Sequence, residues 1–291
     1  MQTDKWISAW CSIIGSSHIL EGLPCQDSSK VEYVEDSDFI IAAISDGAGS
    51  CDNSQIGSSF LVSRAIEKMA SMLKLNNWLT NDDLKLSQEK WRSEVFILFI
   101  ELKEELKSKA NELELDFKSL SATLIIAVSN GNFIACANVG DGRAAFRDTE
   151  SEWLPMVVPT KGEEANQTLF ITSDMWDTNN DSEYFGSFFY SNPITAFALL
   201  SDGCERASFE ILKYSEEEDK YYDPNNPFKP FFEPNYSNLL KLKNANVDQI
   251  KINELWTSFI EKGNQKLISE TDDKSMILSV FLFGQIDEAK S

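Results

Sequence analysis

The sequence predicts an α+β protein of mainly antiparallel sheets with helices packed outside. Three observations carry this. Short apolar runs bounded by turn residues open and close the chain. Two long stretches of helical period, 54–75 and 84–115, lie between them. A late helical stretch, 238–262, precedes the last apolar run. No internal repeat and no Gly- or Ser-rich linker divides the 291 residues, so 1–291 reads as a single domain.

Residues 6–14 mix aromatic, apolar and small side chains and read as a first strand. Residues 16–22 read as a loop holding His18, the only histidine. A strand over 30–34, the polar turn Glu35-Asp36-Ser37-Asp38 and the run Phe39-Ile40-Ile41-Ala42-Ala43-Ile44 read as a hairpin. That run enters Ser45-Asp46-Gly47-Ala48-Gly49, a strand that stops where the chain bends sharply. From 54 to 75, Ile56, Phe60, Ala65, Ile66, Met69 and Leu73 fall near helical spacing, with Ser54 placed to cap. After a break over 76–83, the second helical stretch carries Val95, Leu98, Phe99 and Leu102 on one side. Its charged residues, 101–109 among them, read as a solvated face without a specific partner.

Strands over 122–128 and 132–139 flank Ser129-Asn130-Gly131, and Asn-Gly between apolar runs is a strong hairpin signal. Gly140-Asp141-Gly142-Arg143 bends again into Ala144-Ala145-Phe146. Further strands are expected over 168–172 and 194–200. Residues 214–236, acidic and then rich in Pro, Asn and aromatics, read as an irregular surface flap beside a site. The final strand spans 275–283 and ends at Gly284. Trp6, Trp91, Trp153 and Trp256 sit among apolar neighbours and read as core.

The 26 basic and 47 acidic residues give a formal charge of −21, which excludes nucleic acid or an anionic membrane as the main partner, because both need a basic face. No apolar run approaches membrane-spanning length, and the first residues lack a basic-then-apolar signal pattern. The five cysteines are scattered without a CxxC pair, which supports neither a zinc site nor a disulfide framework and points to a reducing cytoplasm. Cys136 and Arg143 stand one residue too far apart for the phosphate loop of a cysteine phosphatase. Cys25, Cys51 and Cys204 read as small hydrophobes.

The chemistry centres on aspartates at strand ends. Asp46 ends one apolar run, Asp202 of Ser201-Asp202-Gly203 ends another, and Asp272-Asp273 precedes the last. One such Asp alone reads as a turn residue; three together read as one acidic metal centre. Mg²⁺ and Mn²⁺ are hard cations that prefer carboxylate, carbonyl and water oxygens. Asp46 can bridge two ions, the Gly47 carbonyl is open to approach, and Asp202 and Asp272 can complete one shell. Two ions about 3.5–4 Å apart activate water and clamp a phosphoryl group for in-line attack.

The ordered set Gln26-Asp27, Asp46-Gly47-Ala48-Gly49, Ser121-Ala122-Thr123, Gly140-Asp141-Gly142-Arg143, Ser201-Asp202-Gly203 and Asp272-Asp273-Lys274-Ser275 resembles the metal-dependent protein phosphatase family, type 2C. Ser17-His18 through Pro24-Cys25-Gln26-Asp27 is similar to the opening segment of a bacterial branch of that family. The resemblance spans nearly the whole chain. It implies a four-layer α-β-β-α sandwich, two antiparallel sheets packed face to face and flanked by helices, with a two-metal site at one edge. By position it makes Asp46 the bridging ligand, Gly47 the carbonyl ligand, Asp202 and Asp272 the other ligands of the first ion, and Asp27 the acid beside the second. Ser121-Ala122-Thr123 and Gly140 to Arg143 match motifs that shape the core near the site, and Asp273 reads as a loop or supporting residue.

Four departures stand out. Gln26 replaces a frequent Glu. Gly22 stands where a phosphate-binding Arg is expected. Ala48 stands where some relatives carry His. Arg206 replaces the acid that helps hold a third ion in some bacterial relatives, which argues against a third ion on Asp141. His18 is the residue placed to take over phosphate contact or proton delivery. The implied function is a cytoplasmic, Mn²⁺- or Mg²⁺-dependent serine/threonine phosphoprotein phosphatase. A metal-bridging hydroxide would attack phosphorus directly, with Asp46, Asp27 and His18 in the catalytic set. Its partners would be a phosphorylated protein and a cognate serine/threonine kinase. The rival is a catalytically impaired relative that binds phosphoproteins or another partner, motivated by Gln26, the missing Arg and the acidic segment 216–223. A third reading is a phosphatase for small phosphoesters.

Overall fold

The structure is a computed structural model and describes residues 5–79, 86–160, 168–177 and 184–283. The first four residues, the end of the expected break and Gly284 lie outside them. In chain order the elements begin with β1 (Trp6–Ile13), α1 (Ser16–Glu21), β2 (Ser28–Tyr33), β3 (Ile40–Ser45), α2 (Ser54–Leu75) and α3 (Gln88–Glu112). Then come β4 (Leu124–Ser129), β5 (Ile134–Val139), β6 (Arg143–Asp148), β7 (Trp153–Pro155), β8 (Gly186–Tyr190) and β9 (Ile194–Leu200). The last third holds α4 (Glu205–Ser208), β10 (Phe209–Glu210), β11 (Lys213–Ser215), β12 (Lys220–Tyr222), β13 (Asn226–Pro227), α5 (Lys229–Asn244), α6 (Gln249–Lys262), α7 (Gln265–Ser269) and β14 (Lys274–Phe281).

Two five-stranded antiparallel sheets form, in the orders β1-β14-β9-β6-β7 and β2-β3-β4-β5-β8. Alternation along each strand divides the core into three layers. On β3, Ile40, Ala42 and Ile44 face the other sheet, with Trp6, Phe146, Phe197 and Ile277. Ile41 and Ala43 face α2 and α3, against Leu61, Ile66, Trp91 and Phe99. The outer face of the first sheet packs on α5 and α6 through Phe232, Leu239, Trp256 and Ile260. β3, β4 and β9 read as nearly unbroken apolar runs because both of their faces are covered. This is the expected four-layer α-β-β-α sandwich. Trp6, Trp91, Trp153 and Trp256 are all buried.

The structure departs from the sequence reading in several places. Residues 16–21 are a short helix rather than a loop, closed by Gly22 at φ 72°. No strand forms over 168–172; that segment turns beside Ser121, whose hydroxyl meets Thr172 Oγ1 at 2.6 Å. β8 was not foreseen. Segment 214–236 is not irregular: β11 and β12 pair as a ribbon, and α5 starts at Lys229 with Pro230 in its first turn, where a missing N–H does no harm. The charged face of α3 does have partners, since Glu105 pairs with Arg64 and Glu101 with Lys68 of α2.

Candidate metal centre

Antiparallel pairing explains why distant aspartates meet. β2 starts opposite the end of β3, with Ser28 facing Ser45, so Asp27 and Asp46 flank one sheet end. β14 starts opposite the end of β9, where Ser201 N donates to Ser275 O at 3.1 Å, so Asp202 and the Asp272-Asp273 pair flank the end of the other. β6 also opens opposite Leu200, which brings the β5–β6 turn and its Asp141 to the same edge.

The strand-end backbone is held by the Ser121-Ala122-Thr123 motif. Thr123 N donates to Asp46 O at 2.8 Å, Ala48 N donates to Ser121 O at 2.9 Å, and Asp46 N donates to Thr123 Oγ1 at 3.0 Å. Gly47 faces Ala122 between the first two bonds, so its carbonyl stays out of that ladder. A side chain is excluded at Gly47 because a Cβ would lie 2.7 Å from Gln26 O and 2.9 Å from Ser54. Gly203 is likewise obligatory, since its Cβ would fall 2.0 Å from Asp273 O. That contact presses the turn after Asp202 onto the Asp272-Asp273 turn.

Around the centre stands a shell of oriented donors. Ser201 Oγ donates to Asp27 Oδ2 at 2.7 Å and accepts from Ser275 N at 3.0 Å. Asp273, buried, ties three segments together: Oδ1 accepts from Gly15 N at 2.6 Å and contacts His18 Nδ1 at 2.9 Å, while Oδ2 accepts from Gln26 N at 2.5 Å. Thr168 Oγ1 donates to Asp141 Oδ2 at 2.5 Å. His18 is buried on α1, and its ring groups with the carboxylates of Asp272 and Asp273, all within 4.8 Å. The structure thus places Asp27, Asp46, Gly47 and Asp202 together, with Asp272 and His18 at one side. Asp273 has the supporting place the sequence suggested, though not its particular partners, and sequence reasoning missed the joining role of Ser201. Its only signal was adjacency to an aspartate already singled out.

Like charges and burial act in one direction. Burial pushes the Asp27 carboxyl up to about 7, against the hydrogen bonds of Ser201 and Ser275 and with the repulsion of Asp273. Burial, then Asp141 and Asp272, raise Asp202 to about 7. Asp46 is raised by burial and by Asp27, Asp202 and Asp141. At the same place Asp27 Oδ1, Asp202 Oδ1 and Gln26 Oε1 are buried without a hydrogen-bond partner. Unpartnered buried oxygens among mutually repelling carboxylates fit hard divalent cations, which satisfy both deficits.

A curated relative, Serine/threonine-protein phosphatase 3 of Escherichia coli (strain K12), is 25% identical over 284 residues, covering 97% of this chain and all of its own. Among solved structures, a bacterial serine phosphatase aligns over 96% of this chain and 99% of its own, with TM-score 0.55 and 12% identity. The serine/threonine phosphatase Stp1 from Staphylococcus aureus aligns over 98% and 97%, with TM-score 0.52 and 13% identity. Such identities speak for the shared fold. The family model described as protein phosphatase 2C matches residues 14–250, most of the chain, and on that match together with the aspartate-bearing strand ends the chain belongs to the protein phosphatase 2C family.

Proposed function

We propose that this protein hydrolyses phosphoserine and phosphothreonine esters in phosphoproteins with the help of two Mn²⁺ or Mg²⁺ ions. Asp46, the Gly47 carbonyl, Asp202 and Asp272 would hold the first ion, and Asp46 and Asp27, with Gln26 beside it, the second. When bound, the pair supplies Lewis-acid activation of water and positive charge facing the phosphoryl oxygens. The chain's own part is to fix the carboxylates. Thr123 holds Asp46 at the strand end, Ser201 turns Asp27, and Asp273 joins α1, the Gln26 backbone and the turn before β14. His18 is steadied through Nδ1 by Asp273, which leaves Nε2 to carry a proton to the departing serine or threonine oxygen. Water attacks phosphorus as the P–O bond to that oxygen breaks, with no covalent enzyme intermediate.

The observation that carries this reading is the meeting of Asp27, Asp46 and Asp202 where the ends of the two sheets come together, with buried, unpartnered oxygens on Asp27 and Asp202. Ser17-His18 through Asp27 further supports the bacterial branch named above, and five free thiols support a cytoplasmic setting in which a serine/threonine kinase generates the substrate. Among the described residues no helix is long and apolar enough to cross a membrane.

The test pairs calorimetry with turnover. Two Mn²⁺ ions should bind, and para-nitrophenyl phosphate and a phosphothreonine peptide should be hydrolysed. Asp46→Ala should abolish turnover, by roughly a thousandfold or more, and weaken both ions. Two ions bound without turnover would favour the partner-binding module suggested by Gln26. Turnover of small esters alone would favour the phosphoester enzyme.

A further inference from the structure

One cavity lies outside the metal centre but adjoins it. It encloses about 650 Å³ beside α4, β10, β11 and α7. Both helices continue from or lead into metal-centre turns. Asp202 opens the helical stretch that becomes α4, and α7 ends shortly before Asp272. Three cations line the cavity, Arg206 of α4, Lys213 of β11 and Lys266 of α7, all exposed. Among the described residues none of the three makes an ion pair. Lys266 only lies over the Phe228 ring, 5.6 Å from its centre. Glu210 is the one acid in the lining, and Leu212, 70% exposed, adds an apolar rim. In a chain of formal charge −21, three cations against one acid form a local inversion of charge.

We propose that this groove receives acidic side chains of the phosphoprotein substrate, flanking the phosphorylated residue. This rests on the phosphatase reading above. Arg206 follows Asp202 by four residues in consecutive helical turns, a rise of about 6 Å. An extended peptide advances about 3.3 Å per residue. With its phosphate at the metal centre, side chains about two to four positions away come within reach of Arg206 and of the groove it lines with Lys213 and Lys266. Acidic side chains gain from the three cations in a chain whose formal charge is −21. The geometry thus assigns Lys213 and Lys266 to substrate selection rather than to chemistry.

The test uses the whole chain and two labelled threonine peptides, one with three flanking glutamates and one with glutamines in their place. Fluorescence anisotropy without metal should show the glutamate peptide binding more tightly, and added salt should erase the difference. Lys213→Glu with Lys266→Glu should weaken the glutamate peptide about tenfold and leave the glutamine peptide unchanged. With Mn²⁺ and the phosphorylated peptides, the same variant should raise KM for the acidic substrate, leaving its kcat and the para-nitrophenyl phosphate rate unchanged. Lys213→Gln with Lys266→Gln, its melting temperature checked, should give a smaller shift of the same sign. Equal binding of the two peptides by the wild type overturns the proposal even in an active enzyme. Wild type inert toward para-nitrophenyl phosphate refutes the hydrolase reading, while anisotropy still decides the groove.

Discussion

Two groups of buried charge in this fold are treated in opposite ways. On β6, Arg143 and Arg147 are buried cations with full sets of partners. Arg143 pairs with Glu205 at 2.9 Å and Asp223 at 2.6 Å and donates to Asn225 Oδ1 at 2.6 Å. Arg147 makes two bonds to Glu233, at 3.0 and 2.9 Å, and one to Thr195 at 2.9 Å. In the aspartate cluster the buried carboxyls are of one sign, with Asp27 and Asp202 oxygens left unpartnered. Charges that hold the fold together are neutralised within the chain. The aspartates proposed to hold ions keep oxygens that nothing in the described chain satisfies.

The largest effect should come from the paired side. Arg143→Ala leaves the Asp223–Asn225 loop without its anchor and should cost about 3–5 kcal/mol in chemical denaturation. If the loss is well under 1 kcal/mol, solvent rather than Arg143 balances those acids, and the contrast between the two groups collapses.

A second effect is a pH dependence at the metal edge. The carboxyls of Asp27 and Asp202 are raised to about 7 in the folded chain, above the unfolded value of about 3.9. The folded state therefore holds more protons than the unfolded one between these limits. Their stabilising contribution is complete below about pH 4 and is lost as pH rises through about 7. Metal-free protein should melt at lower temperature at pH 8 than at pH 5.5, and Mn²⁺ should raise melting most at pH 8. A flat metal-free profile over this range contradicts the repulsion assigned to the cluster.

The smallest effect sharpens the comparison. Ser201→Ala removes one donor to Asp27 and should cost about 1 kcal/mol of stability and about tenfold in affinity for the weaker Mn²⁺ ion by calorimetry. Unchanged affinity would separate Ser201 from the metal centre.

Much of this was legible in the residues. Short apolar runs bounded by turn residues marked β3, β4 and β9, and a 3.6-residue period marked α2 and most of α3, because burial leaves a local trace. Asp46, Gly47, Asp202 and Asp272 stood out through turn chemistry at strand ends, and Asp27 only through the resemblance; the structure brings Asp27, Asp46 and Asp202 together. The helix at α1 was not, since six residues are too few to display a period. The ribbon β11–β12 was hidden for a similar reason: its three-residue strands pair with each other, so no hydrophobic alternation reports them.

What the chain by itself determined is that antiparallel sheets carry helices outside them and that aspartates stand at strand ends. Those follow from hydrophobic spacing and from the conformational demands of short turns, both local quantities. Tertiary structure alone decided which side chains serve those carboxylates. Asp273 reaches back to Gly15, His18 and Gln26, some 250 residues away, and Arg143 reaches forward to the loop at Asp223. Such contacts depend on strand register and on the packing of the two sheets, and neither leaves a signature in residues close together along the sequence.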